Sequence, residues 1–394
     1  METDVPKRFF PPEPWSVTER AYRPELNEFL ETIFFLGNGY MGVRGTPEEG
    51  FAAGEGAGSF PATYVASVYD LVPQRGGHHV PYVSQCSVMA AGPDWFGVEL
   101  TLGGSRFDPR AGRVLSYRRR LDMRTGTLVR HLVWADRRGR RTELEFVRFV
   151  SLADRHVAAV RVAIRPLNWS GRVRAACGLD ASRASRQRVV RLAAAGPDGA
   201  LLATETLVTR FRTAAAMRLR LEEAGRTLPA AGRLVRGERC VARVVSLDAR
   251  AGRTYRLEKL LAVTTSRDAS AGPPGRRAAS IAAACRRAGF DALLAAHAAA
   301  WSRLWARADV TIDGDRSAQQ AARFCVFNMH QDYAGDDERV NIPAKGLSGP
   351  GYGGLYWWDT EAYMLPFFLY TVPEAARALV RYRCRTIDGA RKKA

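Results

Sequence analysis

Lysine is almost absent from this sequence of 394 residues, which contains 5 lysines against 54 arginines. The formal net charge is nevertheless +19, and a charge of that size would by itself favour a nucleic-acid partner. The arginines are spread from Arg8 to Arg391, and no dense basic block alternates with aromatic residues. We therefore expect no nucleic-acid partner. The abundance of Arg, Ala and Gly instead indicates compositional drift in a GC-rich coding sequence.

The sequence also lacks cysteine pairs, a basic leader and long apolar runs. No CxxC pair occurs and the six histidines have no metal-ligand spacing, so no metal site is predicted. The segment METDVPKRFF has no basic stretch followed by an apolar core, and no apolar run reaches about 18 residues, which predicts neither a signal peptide nor a membrane-spanning helix. Isolated free thiols are typical of a reducing compartment, so a cytoplasmic location is expected. The isolated cysteines are Cys86, Cys177, Cys240, Cys285, Cys325 and Cys384.

Short segments with alternating polarity fill residues 13–265. Residues 114–123, 127–136 and 142–152 are separated by turns that contain glycine, at a spacing of about 12 to 16 residues. Regular short strands of this kind predict a large antiparallel β-sandwich. The arginines at alternate positions are expected to face solvent or to lie flat on the outer sheet.

A Gly-Pro-Pro-Gly segment at residues 268–277 ends this pattern and predicts a linker or turn. Residues 278–310 are Ala-rich and predict helix, with Trp301 and Trp305 on one face. Residues 318–333 predict a further helix, and two short helices follow a glycine-rich loop. The prediction is therefore multidomain, β followed by α: a β-sandwich domain (1–267), a helical linker (268–312) and the first part of an all-α domain (313–394).

The segment GPGYGGLYWWDTEAYMLPFF, residues 349–368, carries the chemistry. Its glycines let the backbone approach a ligand closely. Aromatic rings stack on sugar rings and carboxylates accept hydrogen bonds from hydroxyls, so Trp358 next to Asp359 is a minimal pair for binding a pyranose. The alternative is that Tyr356, Trp357 and Trp358 are core aromatics and Asp359 caps the next helix. A phosphate loop is excluded because the segment lacks the Lys-Ser/Thr of that motif.

Two long motifs resemble glycoside hydrolase family 65, the family of maltose, kojibiose and trehalose phosphorylases. They are residues 345–383, beginning KGLSGPGYGGLYWWDTE, and residues 31–50, ETIFFLGNGYMGVRGTPEEG. The segments LSYRRRLDMRTG, RFVSLADRH, PLNWSG and HAAAWSRLW are similar to the family in the same order. The resemblance covers the whole chain. It implies an N-terminal β-supersandwich, a helical linker and the start of an (α/α)6 barrel that is incomplete here.

The resemblance also implies an activity, the inverting phosphorolysis of an α-linked glucose disaccharide to β-glucose 1-phosphate and glucose. Inorganic phosphate is then the co-substrate, and no metal or organic cofactor is needed. Trp358 and Asp359 match the family pair that contacts the donor glucose, whereas Leu355 stands where the family usually has His. The family's general acid and phosphate ligands are expected downstream of Ala394. No catalytic residue is therefore assigned, and the chain alone is expected to be inactive.

Two alternatives keep the sugar chemistry: an α-glucoside hydrolase of the same family, and a non-catalytic carbohydrate-binding protein. The residues do not choose among maltose, kojibiose, nigerose, trehalose and trehalose 6-phosphate. The expected partners are the α-glucose disaccharide and phosphate, with no nucleic acid and no membrane, and a homodimer is left open.

Overall fold

The computed structural model describes residues 9–51, 58–73, 85–268 and 272–392. Strands dominate the chain up to Thr265, and helices dominate from Pro274 onward. The predicted linker at 268–277 lies partly outside the described residues, at 269–271. No helix in the described ranges is long and apolar enough to cross a membrane.

Twenty strands form within the described residues, and the longest lie between residues 113 and 265. They are β1 (Ser16–Glu19), β2 (Leu36–Gly37), β3 (Met41–Val43), β4 (Thr63–Val65), β5 (Tyr69–Pro73), β6 (Gln85–Met89), β7 (Val98–Leu102), β8 (Ser105–Arg106), β9 (Arg113–Asp122), β10 (Thr127–Ala135), β11 (Arg141–Val150), β12 (Val157–Pro166), β13 (Gly171–Asp180), β14 (Gln187–Ala194), β15 (Gly199–Thr206), β16 (Arg212–Glu223), β17 (Arg226–Leu228), β18 (Arg233–Arg236), β19 (Cys240–Ala249) and β20 (Tyr255–Thr265).

Two antiparallel sheets pack face to face and confirm the predicted sandwich. The large sheet has ten strands in the order β1-β9-β10-β11-β12-β20-β16-β15-β14, with β17 paired to β16. The small sheet has the order β18-β19-β13-β7-β8. Leu132 and Leu144 face each other across β10 and β11, and they share one buried core with Val98 and Val173 of the small sheet. This shared core follows from the period-2 alternation of the strands.

Gly126, in the turn between β9 and β10, allows a helix to approach the sandwich. Its φ of +65° is in the left-handed region, and a Cβ atom there would lie 1.9 Å from the indole nitrogen of Trp301. The rings of Trp301 and Trp305 stack with their centroids 6.1 Å apart, so both lie on the predicted common face of their helix. A residue other than glycine at position 126 would displace that face.

Three arginines that alternate along the strands lie inside the protein, so the expectation that such arginines face solvent is wrong for them. Arg130 is 2% exposed and donates to Glu49 Oε1 at 2.7 Å and to Glu48 Oε2 at 2.8 Å. Arg148 lies 3.3 Å from Glu48, and Arg119 is also buried. The segment carrying the two glutamates covers this part of the sheet, and buried charges of this kind are tolerated only as pairs.

Six α-helices lie in the described residues, and one of them interrupts the region that the pattern predicted as strand. Helix α1 packs Leu30 into the sandwich core, which explains why an apolar segment here is helical. The helices are α1 (Asn27–Ile33), α2 (Pro274–Ala288), α3 (Phe290–Ala308), α4 (Arg316–Asp332), α5 (Leu365–Thr371) and α6 (Pro373–Arg391).

The helical stretch predicted at 278–310 is two helices, because Gly289 breaks it with a φ of +80°. Both helices pack on the outer face of the large sheet. Ala282 of α2 packs with Ala216, and Phe290 of α3 packs with Phe149. Helix α6 has 19 residues and is therefore longer than the short helix predicted there.

Candidate functional site

The glycine-rich segment forms an irregular loop between α4 and α5. Gly351–Gly354 make a tight helical turn in which Tyr352, Gly353 and Gly354 have positive φ values of 57°, 68° and 69°. A Cβ atom on Gly354 would lie 2.6 Å from Cβ of Met89 on β6. The glycine is therefore needed both for the backbone conformation and for the close approach of the loop to the sandwich.

The predicted Trp-Asp pair lies at the end of this loop, where it faces solvent. Trp358 is 67% exposed and Asp359 is exposed. Asp359 precedes a π-helical turn, Thr360–Met364, but its side chain makes no capping hydrogen bond to it. Among the described residues the Asp359 carboxylate has no hydrogen bond or ion pair. The alternative reading of core tryptophan and helix cap is therefore not supported by this geometry.

A second aromatic ring lies beside the pair. Tyr363 is 71% exposed, and its ring centroid lies 6.2 Å from that of Trp358 with the planes at 43°. The single π-helical turn places Tyr363 here, and such turns are frequent at functional sites. An exposed indole, a phenol and an unpaired carboxylate together offer a stacking surface and hydrogen-bond acceptors for a sugar hydroxyl.

Glu361, two residues after the pair, is occupied by other side chains. It accepts hydrogen bonds from Arg383 Nε at 2.9 Å and Nη2 at 2.7 Å, and from Asn341 Nδ2 at 2.9 Å. Burial alone would raise the pKa of Glu361, but the hydrogen bonds from Arg383 and Asn341 outweigh it and lower the pKa. Arg383 also donates to the carbonyl of Trp357 at 2.9 Å. This ion pair therefore fixes the backbone on both sides of Trp358.

The glycine-rich motif at residues 31–50 packs directly against the helical part of the chain. Gly37 N donates to Gln331 Oε1 at 2.8 Å, and Gly39 N donates to Gln331 O at 2.7 Å. A Cβ atom on Gly42 would lie 2.5 Å from Cβ of Leu347, just before the loop. The sequence of this motif indicates a family resemblance, but its spacing does not predict the contact with the helical part.

Asp332, the last residue of α4, is a titratable group that the sequence did not single out. Its Oδ1 accepts a hydrogen bond from Leu347 N at 2.9 Å. A Cβ atom on Gly346 would lie 2.0 Å from the same oxygen, so the carboxylate leaves no room for a side chain at position 346. Burial raises the pKa of Asp332 to about 7, and the hydrogen bond from Leu347 opposes that rise. The start of the glycine-rich loop is therefore held by a carboxyl group that titrates near neutral pH.

Within the described residues, no group of three or more His, Cys, Asp or Glu side chains could hold a metal ion. His297 and His330 are both buried, and burial lowers the pKa of each to about 4. Two of the six histidines of the sequence, His78 and His79, lie outside the described residues.

Two family models match the chain in order. Residues 17–304 match "Glycosyl hydrolase family 65, N-terminal domain", and residues 323–394 match "Glycosyl hydrolase family 65 central catalytic domain". The chain belongs to glycosyl hydrolase family 65. This confirms the resemblance, and it places the Trp358–Asp359 pair in the part of the chain that matches the central catalytic domain.

Relatives in family 65 agree with this assignment. The chain is 32% identical to a kojibiose phosphorylase of Halothermothrix orenii, over 96% of this chain and 48% of the relative. It is 32% identical to an α,α-trehalose phosphorylase of Thermoanaerobacter brockii, over 100% of this chain and 52% of the relative. It is 33% identical to an uncharacterized glycosyl hydrolase of Mycobacterium tuberculosis, over 98% of this chain and 50% of the relative.

A solved structure of a putative kojibiose phosphorylase from the human microbiome has the same fold, with a TM-score of 0.89 at 23% identity. That match covers 99% of this chain and 51% of the solved chain. This chain thus spans about half the length of the curated relatives it matches.

Proposed function

We propose that this family 65 chain carries the donor-glucose subsite of an inverting α-glucoside phosphorylase. Trp358 stacks on or borders the glucosyl ring, and Asp359 accepts hydrogen bonds from its hydroxyls. The observation that carries the proposal is the unpaired carboxylate of Asp359 beside an indole that is 67% exposed. The kojibiose and trehalose phosphorylases among the relatives support a disaccharide with an α-linked glucose.

The proposed reaction is phosphorolysis with inversion. Inorganic phosphate attacks the anomeric carbon from the face opposite the glycosidic bond. That bond breaks, and a general acid protonates the leaving oxygen, which gives β-glucose 1-phosphate and glucose. Phosphate acts as co-substrate in this proposal, without a metal or an organic cofactor. A cytoplasmic location fits the free thiols and remains part of the proposal.

The general acid is not assigned to a residue of this chain. Glu361 is the next acid after Asp359, but its bidentate pair with Arg383 and its lowered pKa leave it without a proton to donate near neutral pH. We therefore expect the 394 residues alone to release neither glucose 1-phosphate nor glucose from kojibiose, trehalose or maltose in the presence of phosphate. Turnover that a substitution within this chain abolishes would contradict this expectation.

Binding can be tested separately from turnover, by titrating the chain with glucose and following its tryptophan fluorescence or ligand-detected NMR signals. Asp359→Asn should weaken binding by at least ~10-fold, since a charged hydrogen bond is worth about 1.5–3 kcal/mol. Trp358→Ala should weaken binding by a similar factor, because it removes the ring that stacks on the sugar. The matched control is Asp313→Asn, which changes an exposed aspartate in the same helical part and should leave binding unchanged. Equal affinity in Asp359→Asn and the wild type would contradict the donor-site assignment.

The exposed pair also supports a second candidate, a non-catalytic carbohydrate-binding protein. Trp358 and Asp359 can bind a sugar even though Glu361 is paired with Arg383 and does not act as a general acid. Both candidates predict that the 394 residues bind glucose and release no product. Release of glucose without glucose 1-phosphate would instead favour the hydrolase alternative.

A further inference from the structure

The β-sandwich domain holds the glycine-rich loop at both ends, through Arg44 next to β3 and Tyr69 on β5, which belong to two small sheets outside the sandwich itself. At one end, Arg44 Nη1 donates a hydrogen bond to the carbonyl of Ser348 at 2.9 Å. At the other end, the Tyr69 hydroxyl donates to the carbonyl of Gly354. The hydroxyls of Ser67 and Tyr356 form a further hydrogen bond at 2.7 Å. These contacts leave the turn at Gly351–Gly354 between two fixed points.

The contact at the Gly354 end is tightly packed. The ring of Tyr69 meets the ring of Tyr356 edge to face, with the centroids 5.7 Å apart. Burial raises the pKa of Tyr69, so its hydroxyl keeps the proton that it donates. Gly354 is buried against Met89 of β6. The loop therefore cannot move at this point without breaking a partly buried hydrogen bond and an aromatic contact.

The contact at the Ser348 end rests on a rigid arginine. The Arg44 side chain is 7% exposed, and its Nη2 donates to the carbonyl of Glu28 at 3.1 Å. Its Nε lies 3.9 Å from the buried carboxylate of Glu31. Both acceptors lie on or beside α1, so the guanidinium links that helix to the loop. A lysine at this position could not keep these contacts together, because it lacks the planar fork.

The loop leads directly into the proposed sugar site. Tyr356 lies two residues before Trp358, and the carbonyl of Trp357 is held by Arg383 at 2.9 Å. We propose that Tyr69 and Arg44 are positioning residues: the sandwich fixes residues 348–356 and thereby sets the direction in which Trp358 and Asp359 face the donor sugar. The sugar part of this inference rests on the proposed function, whereas the fixing of the loop does not.

Hydrogen exchange of the chain, read by mass spectrometry, tests the fixing of the loop. Tyr69→Phe removes one hydroxyl and keeps the ring, so exchange in peptides covering residues 348–359 should become about fivefold faster, as expected for one lost hydrogen bond. The matched control is Tyr64→Phe on β4, which pairs with β3. Tyr64 is fully buried, and its hydroxyl makes no hydrogen bond among the described residues, so the control should leave exchange in the loop unchanged.

Two results would overturn the inference. One is loop exchange in Tyr69→Phe equal to that of the wild type. The other is an equal acceleration in peptides from β5 and β6, which would show a general loosening of the sandwich instead of a loss of loop position. Arg44→Met provides a second variant, and it should accelerate exchange mainly around Ser348.

Glucose titration of the same variants tests the sugar part. Tyr69→Phe should weaken glucose binding several-fold through a mispositioned Trp358, and Tyr64→Phe should not. If Tyr69→Phe binds glucose as the wild type does, the positioning of the sugar site is overturned. If the wild type itself binds no glucose, the proposed function fails, and the exchange experiment still decides whether the sandwich fixes the loop.

Discussion

The sandwich and the loop that carries Trp358 use the same residue types in opposite ways. Trp301 is 1% exposed against the sandwich, whereas Trp358 is 67% exposed. Glu49 is buried and bonded to Arg130, whereas Asp359 is exposed and has no partner among the described residues. Against the sandwich, the Trp301 ring and the Glu49 carboxylate are buried, and their contacts are made within the protein. At the end of the loop, the aromatic ring of Trp358 and the carboxylate of Asp359 are exposed to solvent on a backbone that is fixed by hydrogen bonds, which is what a binding site requires.

The largest expected effect is on the sandwich side of this comparison. Arg130→Met leaves Glu49 as a buried charge without its partner and leaves Glu48 with Arg148 alone, so the free energy of unfolding should fall by about 3–5 kcal/mol. Urea unfolding followed by circular dichroism measures this loss. Arg174→Met, at an exposed position of β13, is the control and should change stability by less than about 0.5 kcal/mol. A small loss in Arg130→Met would mean that the glutamates find other partners.

The junction between the two regions should respond to pH through Asp332. Its pKa in the folded protein, about 7, lies above the ordinary value, so the native state keeps a proton that the unfolded chain has lost. Stability from this group therefore falls as pH rises from about 4 to 7. Asp332→Asn has no titrating group at this position and therefore does not lose this stability. The difference between its free energy of unfolding and that of the wild type should increase in favour of the variant by roughly 1–3 kcal/mol from pH 4.5 to pH 8.

The control for this pH effect is Asp337→Asn, for which the predicted pH dependence of stability has the opposite sign. Burial would raise the pKa of Asp337, but hydrogen bonds from Arg339 outweigh it and lower the pKa. Its stabilisation is therefore present at neutral pH and lost as pH falls, so Asp337→Asn should be the less stable variant near pH 7 and should match the wild type in acid. A pH-independent difference for Asp332→Asn would refute the titration of that residue.

A smaller effect is expected at Glu361, which joins the loop to α6. Glu361→Gln weakens a partly exposed ion pair with Arg383, so we expect a loss of about 1 kcal/mol in stability. Thermal unfolding and protease resistance of α6 measure it. Because the carboxylate makes no contact with a sugar in our proposal, glucose affinity should change less than in Asp359→Asn. An equal loss of affinity in the two variants would place Glu361 in the sugar site.

The smallest effect on stability is expected where the effect on binding is largest. Trp358→Ala removes a mostly exposed ring, so the free energy of unfolding should change by less than about 0.5 kcal/mol. Trp301→Ala, the same substitution at a buried ring, should cost about 3–5 kcal/mol. Comparable losses in the two variants would mean that Trp358 contributes to the folded core, and the contrast between the two regions would disappear.

Local patterns in the sequence were enough to predict the long strands between residues 113 and 152. Residues 127–136 alternate, and β10 spans Thr127–Ala135, because alternation depends only on neighbouring residues. The buried arginines were not predictable in this way. The alternation shows that Arg130 and Leu132 share a face of the strand, but it does not show that the segment around Glu48 folds over that face. Such burial depends on a contact between residues 82 positions apart.

The candidate site also contains residues that the sequence could indicate and residues that it could not. Trp358 and Asp359 are adjacent in the sequence, so their chemistry could be recognised there, and their role in binding stays a prediction. The residues that hold the loop are distant: Tyr69 is 285 positions from Gly354, and Arg44 is 304 positions from Ser348. No short pattern marks either of them. Only the folded chain shows that the sandwich and the loop meet.

The order of strands in the large sheet has a consequence for how the protein is made. Strand β20 is the last strand of the sandwich in sequence, yet it lies between β12 and β16, near the middle of the sheet. While a ribosome synthesises the chain, β12 and β16 each keep one unpaired edge until residue 265 has emerged, and unpaired edges are prone to wrong pairing. The sandwich can therefore close only after residue 265 has emerged, and α2, which packs on β20, follows within about ten residues to cover the completed sheet.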